Sequence, residues 1–441
     1  MPFLLHLLAL AVFAQGTSEF VLAGLLPAIA AEFGVPLGQA GFLTSAFAVG
    51  MAVGAPAMAA GGRRLSPRWT MTAFLALFVI AHVVGAVTGD FAVLLVSRVA
   101  AALANAGFLA VALSTVSQIV PAGRRARALA VILGGTTLAL IAGVPAGALV
   151  GDVLGWRATL WAIAIICLPA LVAVLVATPS RPEPASETAR PMTLRVELAV
   201  LRRRSLRVAM VLAILVNGAT FCTFTYLAAI ATGSAGIDDS AVPALLALFG
   251  TGAFAGVTLA GRLGDRHWRR LIGTAGPLLF AGWVALALAS AHPAALWVLA
   301  FTQGALSFAV GGALIARIMV EAEGAPTMSG SFSTAALNIG AVIGPVAGGA
   351  AFEAAGPQGI ALTSAVLVGL AMALWWVAGK ARRGSRPEHH GEVLGRRHGP
   401  VAHEPAADVG GGPSVDERTV GEQGRARGVR LSDGDHQPRR R

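Results

Sequence analysis

Charged side chains are scarce in this chain of 441 residues, because only 12% of them are Asp, Glu, Lys or Arg while 56% are hydrophobic. Soluble domains carry roughly 25% charged residues, so the composition is typical of an integral membrane protein. Lysine is almost absent, since Lys380 is the only one. It does not stand in a GxxxxGK[ST] motif, so the sequence encodes no ATP-driven pump with a phosphate-binding loop of that kind.

Motifs for catalysis and metal binding are also missing. The sequence contains no HExxH, GxSxG or CxxC, so we predict neither an enzyme nor a resident metal or other cofactor. Its two cysteines, Cys167 and Cys222, fall in apolar segments and are typical of buried hydrophobic residues rather than of a disulfide. The tail 380–441 is rich in Arg, Gly, His and Pro, and its five histidines are dispersed. We predict that this tail is disordered and cytoplasmic and that it holds no metal.

Twelve apolar runs are long enough to cross a bilayer, for which about 20 residues are needed. The longest polar interruption, 179–206, leaves six runs on either side. We therefore predict an all-α integral membrane protein with twelve transmembrane helices in two six-helix bundles, 1–178 and 207–379, joined by a cytoplasmic loop at 179–206. The predicted spans are 4–30, 38–60, 70–89, 91–117, 128–150, 158–178, 207–232, 242–260, 271–290, 294–320, 331–353 and 358–378.

Basic residues are concentrated on one side of the predicted membrane. With the N-terminus in the cytoplasm, the segments outside the cell hold one arginine, Arg157, and six acids. Because cytoplasmic segments carry the excess of Lys and Arg, both termini are predicted to be cytoplasmic, and the net charge of +11 reports topology rather than a nucleic-acid partner. The six acids are Glu32, Asp90, Asp152, Asp238, Asp239 and Glu353, and the cytoplasmic arginines include Arg63, Arg64, Arg68, Arg124, Arg125, Arg127, Arg262, Arg266, Arg269 and Arg270.

Glycine patterns recur between the two halves at a nearly constant offset. Two pairs of glycines lie 202 residues apart and two lie 201 apart, which indicates that the halves are pseudo-symmetric copies. Transporters built from such repeats bind their substrate near the bilayer midplane, between the repeats. The pairs are Gly50 with Gly252, Gly54 with Gly256, Gly143 with Gly344, and Gly147 with Gly348.

Small residues at every fourth position predict that spans five and eleven pack closely on neighbouring helices. Pro145 and Pro345 lie within these stripes, and we expect them to allow bending as the halves rock against each other. The stripes consist of Gly135, Ala139, Gly143, Gly147 and Gly151 in span five and of Gly340, Gly344 and Gly348 in span eleven.

Few polar side chains lie deep within the spans. The ionisable ones are Glu19 in span one and Arg98 in span four, whereas His82 lies nearer a span end, where an interfacial role is expected. The uncharged ones are predicted to line a polar, substrate-binding cavity, although an asparagine in a span can also make an interhelical hydrogen bond that only holds the bundle together. They are Gln15, Thr17, Asn105, Asn217, Tyr226, Gln303 and Asn338.

Glu19 lies in the sequence GTSEF, inside an otherwise apolar run. A charge at mid-bilayer costs about 2.5–3.5 kcal/mol on insertion scales, so we expect a functional reason for it. Matching Gly16 to Gly218 aligns Glu19 with Phe221, which means that the second half does without the acid. A buried carboxyl can exchange a proton near neutral pH, so we predict that Glu19 couples transport to protons, with a permanent ion pair to Arg98 as the alternative.

Several stretches resemble the major facilitator superfamily, in its twelve-helix drug:proton antiporter branch. GRLGDR (261–266) is similar to the signature loop between the second and third helices of each half, and the resemblance implies that Asp265 and Arg266 pin helix ends and help gating. The first half has AAGGRRLSPR at this place, with Arg63 instead of the acid. Arg98 matches the arginine of the fourth-helix motif that is tied to proton transfer, and GVPAG in span five is similar to the antiporter motif.

Residues 1–378 also strongly resemble the actinobacterial chloramphenicol exporters, in stretches such as LALAVFAQGTSEFVLAGLLPAIA and GAPTMSGSFSTAALNIGA. The resemblance implies a major facilitator fold and proton-coupled efflux of chloramphenicol, and of related amphenicols, across the plasma membrane. We expect a monomer whose partners are protons, the drug and lipid, with no use of ATP. Efflux of sugars or nucleosides is the alternative within the superfamily, and a passive pore or a membrane sensor is the alternative outside it.

Overall fold

In a computed structural model, residues 2–61, 66–120, 122–178, 194–325 and 328–384 are described, and every regular element among them is helical, as the sequence predicts. The bilayer core offers the backbone no hydrogen-bond partners, so each apolar run satisfies its own N–H and C=O groups within a helix. The tail from residue 385 onward, including its predicted disorder, lies outside the described residues.

The described helices follow the predicted spans in order. They are α1 (Pro2–Phe20), α2 (Leu22–Phe33), α3 (Leu37–Ala40), α4 (Phe42–Gly61), α5 (Pro67–Val87), α6 (Phe91–Ile119), α7 (Ala122–Leu138), α8 (Val144–Leu154), α9 (Trp156–Ala177), α10 (Leu194–Ala199), α11 (Arg204–Thr225), α12 (Leu227–Ala229), α13 (Val242–Ala289), α14 (Pro293–Glu321) and α15 (Ser329–Gly384).

Twelve membrane crossings can be counted in this part of the chain, which is the predicted number. Ten helical segments are each long and apolar enough to cross a membrane. The pair α1 and α2, bent by 52°, supplies one more crossing. A further one results from a break inside α15, where Gly356 has the positive φ of 67° that favours glycine.

Several spans are interrupted near their middle. α1 and α2 meet at the 52° bend directly after GTSEF, and a π-helical turn at Ala139–Gly143 separates α7 from α8, just before Pro145. Span seven is interrupted at Tyr226, and another π-helical turn follows at Ile230–Ser234. Interruptions of this kind in a membrane helix are tolerated where the backbone is covered by protein, and they often mark functional sites.

Spans eight and nine differ from the prediction at their connection. The sequence predicts a loop around GRLGDR, whereas the backbone of α13 continues as one helix from Val242 to Ala289. The connecting segment contains no proline and is rich in arginine, so nothing in its composition opposes a helix. The side chains of Asp265 and Arg266 lie outside what the structure describes, and their gating role stays a prediction.

The small-residue stripe of span five packs on span one. Three glycines spaced four residues apart on α8 and the turn before it face three residues of span one that are also spaced four apart. A Cβ atom on Gly143 would lie 2.0 Å from Oγ1 of Thr17. One on Gly147 would lie 2.6 Å from Cγ2 of Val21, and one on Gly151 would lie 2.2 Å from Cδ2 of Leu25. A larger residue at any of the three positions would therefore have to displace side chains of span one. The three glycines are Gly143, Gly147 and Gly151.

The second half repeats this packing with α15 against α11. A Cβ atom on each stripe glycine of span eleven would meet backbone oxygen atoms of span seven. The contacts are Gly340 with the Ile214 oxygen at 2.4 Å, Gly344 with the Gly218 oxygen at 2.3 Å, and Gly348 with the Cys222 oxygen at 3.0 Å. Span eleven therefore packs on span seven as span five packs on span one, in agreement with the predicted pseudo-symmetry.

Two adjacent glycines of α7 offer a matched test of this packing. A Cβ atom at Gly135 would lie 2.4 Å from the carbonyl oxygen of Ala9, whereas one at Gly134 would meet nothing within 4 Å. We expect Gly135→Ala to destabilise the protein by about 1–3 kcal/mol through overpacking, because the obstructing atom belongs to a backbone. Gly134→Ala is expected to be neutral or slightly stabilising.

The test compares thermal unfolding of the two variants, purified in the same detergent, with that of the unaltered protein. Equal melting temperatures for Gly134→Ala and Gly135→Ala would contradict the close approach of spans one and five.

The two ends of the bundle differ in charge. We call the end that carries Glu32, Asp90, Asp152, Asp238 and Glu353 the acidic end, and the opposite end, with Arg68, Arg124, Arg203, Arg269 and Arg270, the basic end. At the acidic end, Asp90 accepts hydrogen bonds from the backbone N–H groups of Ala92 and Val93 and so caps α6.

The two halves contact each other along α4 and α15, where Ser45 Oγ donates to the Val342 carbonyl oxygen at 2.9 Å, and also at the acidic end. There α2 contacts α11, α12 and α13, while α3 contacts α15 and α8 contacts α13. The Tyr226 hydroxyl donates a hydrogen bond of 2.7 Å to the carbonyl oxygen of Pro345 and lies 3.4 Å from that of Gly38. One buried phenol thus links spans seven, eleven and two, and in this conformation it helps to close the acidic end.

Candidate functional site

The bend of span one places Glu19 at the end of α1. Its side chain keeps part of its surface accessible, whereas Ser18 and Phe20 on either side are buried. In the part of the chain that the structure describes, the Glu19 carboxylate accepts no hydrogen bond and forms no ion pair. It is close enough to Arg98 for the two charges to attract each other. The ion pair between Glu19 and Arg98, which is the alternative that the sequence leaves open, is therefore not formed in this conformation.

Arg98 is buried and is held by Ser18 instead, the residue before Glu19. Its Nη1 donates to Oγ of Ser18 at 2.9 Å, and its Nη2 donates to the Ser18 carbonyl oxygen at 2.6 Å. That carbonyl belongs to the last turn of α1, where carbonyl groups have no partner within the helix. The guanidinium also lies 4.7 Å above the Phe47 ring, while its Nε has no hydrogen-bond partner among the described residues.

His82 belongs to the same buried network, which the sequence does not predict. Its Nε2 lies 2.7 Å from Oγ of Ser18 and its Nδ1 lies 2.8 Å from the carbonyl oxygen of Phe78. Only 1% of His82 is exposed, so the expected interfacial role is wrong. The signal in the sequence is weak, because a single histidine in an apolar span does not reveal which residue of another helix it meets.

Gln15 is a predicted polar residue that keeps unused hydrogen-bonding capacity next to Glu19, and Asn105 is a second buried amide on the helix of Arg98. Gln15 precedes Glu19 by one helical turn, and neither Oε1 nor Nε2 of its buried amide has a partner in the described structure. Asn105 follows Arg98 by two turns on α6, and only 5% of it is exposed. Unpaired buried polar groups are costly, so they suit a ligand that supplies the missing partners.

The other predicted substrate-binding residues are hydrogen-bonded to backbone carbonyl oxygens. Asn217 makes the interhelical bond that the sequence leaves open as an alternative, whereas Asn338 bonds within its own helix. The bonds run from Thr17 to Phe13 (2.8 Å), from Asn217 to Leu337 (2.7 Å), from Tyr226 to Pro345 (2.7 Å), from Gln303 to Leu279 (3.0 Å) and from Asn338 to Thr334 (2.9 Å).

A cluster of phenylalanines begins at Phe20, the residue after Glu19. Phe20 of the first half contacts Phe221 and Phe224 of the second half, with ring centroids 5.9 Å and 6.2 Å apart. Phe224 packs on Phe249 at 4.7 Å, and Phe249 lies 6.4 Å from Phe308. We call these five rings the phenylalanine cluster. Glu19 therefore lies in the chain between Ser18, which contacts Arg98, and Phe20, which belongs to the phenylalanine cluster.

A separate cavity of about 490 Å³ lies in the second half, between α11, α13, α14 and α15. None of its lining residues carries a charge, and they include Val216, Pro277, Met372 and Trp375. It contains neither Glu19 nor Arg98, so it is distinct from the site described above.

Comparison with known proteins gives consistent matches along the chain. The model of the Major Facilitator Superfamily matches residues 8–239 and 210–409. The chain is 56% identical over 346 residues to the chloramphenicol resistance protein of Streptomyces lividans, a match that covers 78% of this chain and 88% of that protein. It is 32% identical over 374 residues to the inner membrane transport protein YdhP of Escherichia coli strain K12, covering 85% of this chain and 95% of that one.

The fold is also similar to that of a solved transporter. A bacterial homologue of the human lysosomal transporter Spinster, in an inward-facing and unoccupied conformation, aligns with a TM-score of 0.70 and covers 88% of this chain and 98% of its own. The two sequences are only 18% identical, so the likeness concerns the fold alone.

Proposed function

The chain belongs to the major facilitator superfamily of membrane transporters, and from that premise we propose that it exports chloramphenicol from the cell in exchange for protons. It is a multi-pass membrane protein and a transporter rather than an enzyme. The proposal of the drug rests on one observation, the 56% identity to a chloramphenicol resistance protein. We place the protein in the plasma membrane as a monomer, with the basic end and both termini in the cytoplasm.

The site offers the two kinds of surface that this drug needs. Chloramphenicol is neutral, with an aromatic ring at one end and hydroxyl and amide groups at the other. The polar groups can donate hydrogen bonds to the Glu19 carboxylate, and Gln15 and Asn105 can supply further partners. The ring fits the phenylalanine cluster, where stacked or edge-to-face contacts contribute about 0.5–1.5 kcal/mol each beyond burial.

Proton coupling follows if the drug and a proton compete for Glu19. Drug that enters from the basic end favours the ionised carboxylate, and the proton leaves towards the cytoplasm. When the halves rock and the acidic end opens, a proton from outside neutralises Glu19 and weakens its hold on the drug. Pro145, with the π-helical turn before it, and Pro345, whose carbonyl binds Tyr226, lie where spans five and eleven would bend in that transition.

Drug accumulation in cells tests the proposed function. An exporter keeps the internal concentration of chloramphenicol low only while the proton gradient exists, so an uncoupler is expected to raise it to the external level. A passive pore would give equal concentrations with or without the uncoupler. The alternative is efflux of sugars or nucleosides. A growth-inhibition panel would support it if the protein gave resistance to toxic sugar analogues or nucleoside analogues but not to chloramphenicol.

The phenylalanine cluster gives a prediction about affinity. Phe221→Ala removes a ring that contacts both Phe20 and Phe224, so we expect chloramphenicol to bind about tenfold more weakly. Phe254→Ala, which removes a ring exposed on the same half, is the matched control and is expected to bind normally. Equilibrium binding of labelled drug to the purified variants measures the difference. Equal affinities for the two variants would remove the cluster from the drug site.

A further inference from the structure

The direction of each hydrogen bond in the buried network can be deduced. The Phe78 carbonyl can only accept, so Nδ1 of His82 carries the hydrogen atom in the 2.8 Å contact between them. The ring is neutral, because a second positive charge in a buried site beside Arg98 would be unfavourable. Nε2 of His82 therefore has a free lone pair and accepts a hydrogen bond from the Ser18 hydroxyl at 2.7 Å.

The Ser18 hydroxyl is oriented by this bond. Because its hydrogen points to His82, its lone pairs face the guanidinium of Arg98, which can only donate. The Ser18 carbonyl oxygen accepts a second hydrogen bond from the same guanidinium. Ser18 therefore binds Arg98 in a bidentate manner, as a carboxylate usually does. The charge of Arg98 is thus held without an acid.

Both Arg98 and Glu19 keep hydrogen-bonding capacity that they could use on each other. The buried Nε of Arg98 has no partner in the described chain, and neither has the Glu19 carboxylate. Ser18 and Glu19 are neighbours in sequence, and Arg98 and Glu19 lie close enough for their charges to attract each other.

We propose that His82 is a positioning residue that, through Ser18, holds Arg98 away from Glu19 and so keeps the carboxylate available to the drug. When the hold is lost, Arg98 pairs with Glu19, and the drug must displace a buried ion pair before it can bind. This inference rests on the proposed function, because it assigns a role to residues around the proposed drug site. It explains why a fully buried histidine on span three contacts a serine beside the coupling acid.

Binding of labelled chloramphenicol to the purified protein tests the inference independently of transport. His82→Leu removes the acceptor for the Ser18 hydroxyl and is expected to weaken binding about ten- to a hundredfold, the value of a hydrogen bond to a charged group. His82→Gln places an amide oxygen where Nε2 lies and is expected to bind almost normally. His292→Gln, at an exposed histidine of the acidic end, is the matched control and is expected to have no effect.

The decisive comparison adds Arg98→Gln. Without the guanidinium nothing can capture Glu19, so His82→Leu is expected to have little effect on affinity in the Arg98→Gln background. The same loss of affinity with and without Arg98 would show that His82 only supports the local structure and would overturn the inference. Ser18→Ala, a smaller change to the same contact, serves if His82→Leu does not fold, and it is expected to show the same dependence on Arg98.

The proposed function and this inference fail in different ways. If the unaltered protein binds no chloramphenicol, the proposed function is wrong and the inference falls with it. If the protein binds the drug and His82→Leu binds it equally well, the inference alone is wrong.

Discussion

Glu19→Gln is expected to abolish uphill export of chloramphenicol while leaving the protein inserted in the membrane. The amide has nearly the shape of the carboxyl group but cannot release a proton, so drug binding and proton binding are no longer linked. With the unaltered protein, a neutral drug exchanged for one proton moves one net charge per cycle. A potential of 100 mV then supplies about 2.3 kcal/mol, enough for a roughly fortyfold drug gradient.

The variant should reduce this gradient to none, as measured by drug uptake into inverted membrane vesicles supplied with respiratory substrate. Glu32→Gln is the matched control, because Glu32 is an acid of the same span that lies half-exposed and pairs with Arg157. We expect it to export normally, since exposed ion pairs contribute little. A proton-dependent gradient of normal size in Glu19→Gln would show that another group couples transport.

Arg98→Ala is expected to eliminate coupled export as well. It leaves the Ser18 carbonyl and hydroxyl without the donor that they have in the folded protein, and it removes the charge that attracts Glu19. Arg98→Lys is expected to be strongly impaired too, because a single ammonium is more strongly hydrated and cannot reproduce the planar fork that reaches both oxygen atoms of Ser18.

The same vesicle assay measures both variants, after their amount in the membrane has been shown to equal that of the unaltered protein. Arg157→Lys is the control, since Arg157 is only partly buried and lies at the acidic end. Full export by a correctly inserted Arg98→Ala protein would exclude Arg98 from the mechanism.

The sequence predicts the helical fold well, for a physical reason. Lipid imposes a minimum length on each apolar run and makes each buried charge conspicuous, so the spans, Glu19 and Arg98 can be read directly from hydropathy. The small-residue stripes can also be recognised in the sequence, because close helix packing requires a small residue at every fourth position.

The partners of these residues could not be predicted, because they depend on how distant spans meet. The bend after Phe20 has no proline at the break, and the guanidinium of Arg98, from span four, bonds the Ser18 carbonyl beside it. Hydropathy gives no sign of the contact between His82 and Ser18, so the sequence alone predicts an interfacial role for His82. The phenylalanine cluster cannot be recognised from the sequence, because phenylalanine is common in apolar spans, with 19 in this chain.

The uncharged polar residues show a further limit of prediction from sequence. Gln15 and Gln303 are equally conspicuous in apolar runs, yet the Gln15 amide has no described partner whereas Nε2 of Gln303 binds the Leu279 carbonyl. A side chain that stabilises the bundle and one that is free for a ligand have the same sequence signature. Only the positions of neighbouring carbonyl groups distinguish them.

The most direct test of proton-coupled export uses the purified protein in liposomes with equal pH on both sides. A potassium diffusion potential makes the lumen 100 mV positive, and labelled chloramphenicol is added outside. Molecules whose basic end faces outward should accumulate the drug in the lumen up to about fortyfold, and the gradient should disappear when the potential is removed. Equal drug concentrations on both sides at every potential would contradict exchange of a neutral drug for a proton.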